Sequence, residues 1–323
     1  MLYKRIVELG TLSEPQGVPD PQFALPSTIN WMRALAILVR NLPLDFSSAR
    51  LFYGAAQKRA FSMHEENTIF EQLLFAVHQV SALEALRSAP KKSDVARIGI
   101  VAWYYGIYAA ASAMVTAQDG SFQDDHNGTA RSWDRQIAEK RLAMNPFELR
   151  VSTLVEKEAK AQIAAYRGGN ISDLKSKPAT VADARGAACA YLSGCAGWYK
   201  WKTEEDIRAS KEYRDLNVAD FRSKAARELR DERLKRKAVS FLHEAIRYRG
   251  KANYREALFL GYGRNTETLL ANYIDDLAAV LAAFVTMAGA FTSKRLGSQL
   301  WSEFIEDLER QRSFTVSPKA LWT

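Results

Sequence analysis

Cysteine is nearly absent from this chain: Cys189 and Cys195 are the only two in 323 residues. Six positions apart, they would point to different faces of a helix, and no second pair exists to complete a zinc site. Free buried thiols are the expectation. Nine prolines and seventeen glycines are too few for a protein built from many short strands and turns. The first residues, MLYKRIVELGTLSEPQGVPDPQF, lack the apolar core of a secretion signal. The most apolar run, Leu277 to Phe291, is fifteen residues long and follows Asp275 and Asp276, which reads as too short for a bilayer span and suits a buried helix. A cytoplasmic protein without a membrane partner is expected. Only four histidines occur, and there is no HExxH, Walker loop or GxSxG elbow. No metal and no cofactor is expected.

What is present is the composition of a globular protein, 47% hydrophobic and 25% charged. Pro15, Pro19, Pro21 and Pro26 predict an extended N-terminal arm over residues 1–26, because each ring removes a donor and biases the preceding residue away from helix. From Ser27, read as a helix cap, apolar residues recur at steps of three and four. Ile69, Leu73, Val77, Val80 and Leu83 form one such row, and Ile100, Trp103, Tyr104, Ile107, Tyr108 and Ala111 another. Helices are predicted near 27–40, 47–63, 66–88, 94–118, 129–142, 147–167, 180–201, 203–214, 218–248, 252–262, 265–291 and 298–311. The predicted fold is all-α, a multi-helix bundle. The segment Arg167 to Thr180, rich in glycine, asparagine, serine and proline, is a long loop or a boundary. It would divide the chain into packed helical halves at 27–168 and 179–323.

The 45 basic and 37 acidic residues leave a net charge of +8. Between Arg222 and Arg255 lie twelve basic and four acidic residues, which is the entire excess. Such localisation favours an anionic partner such as RNA or another nucleic acid. The other reading is a solvated face with pairs such as Asp231 with Lys235 and Glu232 with Arg236 at helical spacing. Tyr248 and Tyr254 interleave with Arg247, Arg249 and Arg255, a pattern suited to holding phosphates and stacking bases. Arg247, Arg249, Tyr254 and Arg255 are therefore candidate nucleic-acid contacts.

On one continuous helix Arg236, Ser240, His243 and Arg247 would share a stripe within about 40°. The arginines would hold a phosphate while His243 moves a proton, and the flanking cations would lower its pKa. Arg236 and His243 are the candidate catalytic pair. The alternative is a His243 that merely packs its helix. Of the other histidines, His64 is badly spaced to share a helix face with Arg59, His126 lies in a loop at a turn and helix start where capping roles suffice, and His78 falls in the apolar LLFAVHQVSAL and reads as core or interface. The adjacent pairs Asp124/Asp125 and Asp275/Asp276 diverge on a helix and read as a loop and a helix surface, not a metal site.

Two segments resemble the HEPN superfamily. AWYYGIYAAASAMVTAQDGSFQDDH, Ala102 to His126, is similar to its tyrosine-rich helix followed by a glycine-containing loop and a histidine. RKAVSFLH, Arg236 to His243, resembles its ribonuclease motif of an arginine and a histidine separated by six residues. The resemblance implies small helical bundles of prokaryotic defence and toxin systems that cleave RNA without a metal, with half-sites meeting in a homodimer. A different class of function is a non-catalytic scaffold or adaptor that binds nucleic acid or proteins within a larger complex. A third is a small-molecule pocket lined by Trp103, Tyr104, Tyr105 and Tyr108.

Overall fold

The computed structural model describes residues 21–42, 44–253, 257–263 and 265–323. Residues 1–20 of the expected arm, and Tyr254 and Arg255, lie outside them. The all-α expectation holds: the described chain is a multi-helix bundle with one two-stranded ribbon.

The core is built on three long helices, α1 (Pro21–Arg40), α3 (Met63–Arg87) and α4 (Lys92–Asp119), with α13 (Tyr273–Leu296) packed against all of them. Helix α1 corrects the end of the arm. It runs through Pro26, and Ser27 lies inside it instead of capping it. Pro21 stands at the first helical position, where the missing N–H has no intrahelical acceptor, whereas Pro26 lies inside the helix and forfeits one backbone bond. Leu25 and Ile29 bury on the same helix and hold it against the bundle. A short helix α2 (Phe46–Phe52) follows, and α3 opens with a capping box in which Ser62 and Glu65 satisfy each other's backbone N–H groups.

Helices α4 and α13 are apolar on nearly every face because both are surrounded. A Cβ on Gly106 of α4 would stand 2.6 Å from Leu281 Cδ1, so the glycine lets the two helices approach. The apolar run from Leu277 proves to be the middle of a 24-residue helix. By length and composition alone α4 and the α13 region could cross a membrane, yet 78% and 83% of their apolar windows are buried by protein. Asp276, expected at a helix surface, is instead buried on α13, where Arg33 and Arg40 of α1 reach it at 3.0 and 2.7 Å. Its neighbour Asp275 diverges from it to pair with Arg87.

The second half of the chain wraps this core. After α5 (His126–Trp133), continued by a π-helical turn over Asp134–Ala138, come β1 (Arg150–Val151), α6 (Glu156–Arg167) and α7 (Val181–Arg208). Two short helices then alternate with the basic segment: α8 (Lys211–Asp215), α9 (Lys224–Lys235), β2 (Val239–Ser240) and α10 (Phe241–Asn253). The chain finishes with α11 (Leu258–Gly261), α12 (Thr266–Leu270), α13, α14 (Ser298–Gln311) and α15 (Pro318–Trp322). One hydrophobic cluster runs from Leu25 to Trp322, and a small satellite gathers Ile207, Tyr213, Phe221 and Ala226. Residues 168–180 form a loop between α6 and α7, and Asn30 of α1 donates to the Leu174 carbonyl at 2.9 Å.

The predicted helix over 218–248 does not exist as one element. Helix α9 stops at Lys235, Arg236 leaves helical geometry at φ −88° and ψ 3°, and β2 pairs antiparallel with β1 in the register Arg150↔Ser240. Leu234, Ala238, Phe241, Ala245 and Tyr248 keep helical spacing across the break, and no glycine or proline marks it. The interruption comes from tertiary pairing: β1 supplies ladder bonds, and Leu154 N–H donates to the Leu234 carbonyl at 3.1 Å.

Candidate functional site: a cationic cleft

The break reshapes the expected stripe. Arg236 ends α9, Ser240 lies in β2, and His243 and Arg247 fall on successive turns of α10, so the four do not share one helix face. Ser240 instead occupies the cap position before α10 and His243 the third position within it. The His243 ring reaches back to accept the Ser240 backbone N–H at Nδ1, 3.3 Å away, as the acidic residue of a capping box does. The neutral ring therefore carries its proton on Nε2. His243 is buried, and burial, opposed by Asp134 and aided by Arg131, lowers its pKa to about 4. At neutral pH it is an uncharged donor. Tyr199 of α7 meets the ring edge-on at 5.5 Å.

Arg236 and His243 nevertheless line the same cleft, of about 490 Å³, between α5, α7 and the α9–α10 connection. Its cations are Arg131, Arg135, Lys202, Arg236 and Lys237, and its acids Asp134 and Asp206. Asp134 is committed to structure: Arg150 grips both its oxygens at 2.8 and 2.9 Å, with both side chains largely buried. Arg236 pairs with Glu232 on the open surface, whereas the other four cations have no ion pair among the described residues. Lys202 instead rests its Nζ over the Trp198 ring at 5.4 Å. The π-helical turn that carries Asp134 and Arg135 adds a residue to the helical turn, a feature frequent at functional sites.

The other sequence candidates on α10 point elsewhere. Arg247 lays its guanidinium over Trp198 at 5.0 Å, with Nη1 buried and lacking a hydrogen-bond partner. Tyr248 does not interleave with a basic surface. It is fully buried, and its hydroxyl donates to the Thr28 carbonyl at 2.9 Å and meets the Tyr273 hydroxyl. Arg249 donates to His126 Nε2 at 2.8 Å and lies over the Tyr104 ring at 4.8 Å.

That last contact shows what sequence reasoning passed over. His126, read as a loop residue at a turn and helix start, does open α5 with Asp125 as its cap, and Tyr104, Tyr105 and Tyr108 set their rings edge-on around it. Burial and Arg249 lower its pKa, and Nδ1 has no partner. Arg249, beyond the Arg236–His243 segment, and not Arg236 is therefore the arginine that reaches the tyrosine-rich helix, while the two segments themselves meet where Trp103 and Phe241 lie edge-on at 6.3 Å. Of the aromatic row in α4, Trp103 belongs to the core beside Trp31, while Tyr105 remains exposed. Among the remaining histidines, His64 is exposed while Arg59 pairs with Glu65, and His78, read as core or interface, is not core but exposed, with Phe314 against its ring. Both cysteines are buried and free. Among the described residues no group of three His, Cys, Asp or Glu side chains gathers as metal ligands.

Comparison with known protein families, curated proteins and solved structures finds no match to this chain.

Proposed function

We propose that the protein binds a single-stranded nucleic acid, with RNA the first candidate, by holding its phosphates in the cleft between α5, α7 and the α9–α10 connection. The observation that carries this reading is the convergence of five cations on one cleft, four of them without a carboxylate partner among the described residues. Unpaired cations in a concave site raise the local concentration of a polyanion and release its counterions on contact. Tyr199 in the wall supplies a ring for an unstacked base. The uncharged His243 adds a donor suited to a phosphoryl or ribose oxygen.

The test is fluorescence anisotropy of a labelled single-stranded oligoribonucleotide at increasing salt. Affinity should fall steeply, and Lys202→Gln and Lys237→Gln should each reduce the salt slope by about one. Binding indifferent to salt and to these substitutions overturns the reading.

A second reading, metal-independent phosphodiester cleavage, is favoured by Arg236 and His243 lining the same cleft. Arg236 would neutralise the phosphate. Because Nδ1 accepts the Ser240 N–H, the neutral His243 would donate a hydrogen bond through Nε2 to a phosphoryl oxygen instead of moving a proton itself, and water would carry the proton from the attacking 2′-hydroxyl to the leaving oxygen. Incubation with RNA in EDTA decides it: cleavage by the wild type and not by Arg236→Ala or His243→Ala supports catalysis. Binding without cleavage supports the scaffold or adaptor.

A further inference from the structure

At the far end of the bundle a second cavity, of about 540 Å³, opens between α2, the end of α13, α14 and α15. Neither the nucleic-acid reading nor the cleft residues involve it. Its wall is aromatic: Phe46 and Trp301 lie nearly parallel with centroids 6.0 Å apart, and Trp322 meets Trp301 edge-on at 5.4 Å. Leu51, also lining it, is 79% exposed and adds open apolar surface beside the aromatic wall. Arg50, Lys294 and Lys319 supply three cations against the single side-chain carboxylate of Glu306, and none of the three has an ion pair among the described residues. Two donors are also buried without an acceptor, Trp301 Nε1 and Arg50 Nε, and Trp301 itself is 5% exposed. Native structures leave few such donors unsatisfied. The volume falls within the range of small-ligand sites, and an apolar wall with a few polar groups is their usual construction.

From this combination we infer that the cavity binds a small organic anion with a flat hydrophobic body, its ring against Phe46 and Trp301 and its acidic group toward Arg50, Lys294 and Lys319. Aromatic carboxylates, sulfonates and phosphates share this chemistry. The charge would select the anion, and the wall would select against inorganic ions, which have no apolar surface to bury.

The experiment titrates the full-length protein with 8-anilinonaphthalene-1-sulfonate and, separately, with uncharged N-phenyl-1-naphthylamine, following probe fluorescence and tryptophan quenching. One saturable site is expected, with the sulfonate bound about tenfold more tightly than the neutral probe. The double variant Lys294→Gln/Lys319→Gln should erase that preference while leaving the neutral probe bound. Ser302→Trp, which fills the cavity from an exposed lining position, should abolish binding of both probes, with circular dichroism confirming the fold. Unsaturable binding, equal affinity for the two probes, or retention of both by a folded Ser302→Trp protein would each overturn the inference. RNA binding should be untouched by all these variants, so failure here and failure of the cleft reading are separable.

Discussion

Helices α9 and α10 are adjacent in sequence and both carry a net positive charge, yet they hold their charges in opposite environments. On α9 the charged groups stay in water and neutralise each other, Lys224 with Glu228, Arg230 with Asp231, and Arg233 with Glu212 of α8. Such surface pairs contribute little to stability. On α10 His243, Glu244 and Tyr248 are buried, and Arg247 and Arg249 lie against aromatic rings. The difference teaches that an excess of basic residues in a segment is not a basic surface. Among the described residues of the segment, Arg222, Lys224, Arg230, Arg233 and Arg236 are in surface pairs and Arg247 and Arg249 lie against rings, and the cleft draws Arg131, Arg135 and Lys202 from outside it.

The comparison breaks most sharply at Tyr248. Tyr248→Ala removes a fully buried ring and two hydroxyl contacts and should cost about 3–5 kcal/mol in urea unfolding, whereas Lys224→Ala on α9 should stay within about 0.5 kcal/mol. Next comes Asp134→Ala in the cleft floor, which strands the largely buried Arg150 and should cost about 3 kcal/mol by the same measurement. A smaller loss for that variant would show water reaching Arg150.

The pH dependence sharpens the contrast through two neighbours with opposite signs. His243 has its pKa lowered from 6.5 to about 4, so it contributes stability above pH 6.5 that is lost as pH falls through 4. For Glu244 burial raises the pKa well above 4.5, so its contribution is complete below 4.5 and is lost as pH rises through the folded value. Glu244→Gln should therefore stabilise the protein at neutral pH relative to pH 4, read as urea midpoints across that range. If its pH profile overlays the wild type, Glu244 has an unrecognised cationic partner. The smallest effect belongs to α9: Arg236→Gln should shift thermal stability by less than about 1 kcal/mol, because its pair with Glu232 is exposed.

Much of the fold was legible in the amino-acid pattern and much of the site was not. The apolar rows of α3 and α4 recur at helical spacing, and the buried residues Ile69, Leu73, Val77, Val80 and Leu83 are those the spacing picks out. The break before β2 was illegible because the apolar spacing runs through it unchanged and the β1 ladder that causes it is contributed by residues about ninety positions earlier. The cleft suffered the same fate. Arg236 and His243 were visible as a pair, but Arg131, Arg135 and Lys202 lie where the local charge balances, and His126 meets Arg249 only across 123 positions.

The sequence by itself determined that this chain is a helical bundle, because helical periodicity of apolar residues is a local property and burying those faces is the dominant favourable term in folding. Only the tertiary structure decided which charges remain available. An ionisable group's environment depends on what packs over it, so side chains of identical chemistry became surface pairs on α9, buried groups on α10 and unpaired cations around the cleft.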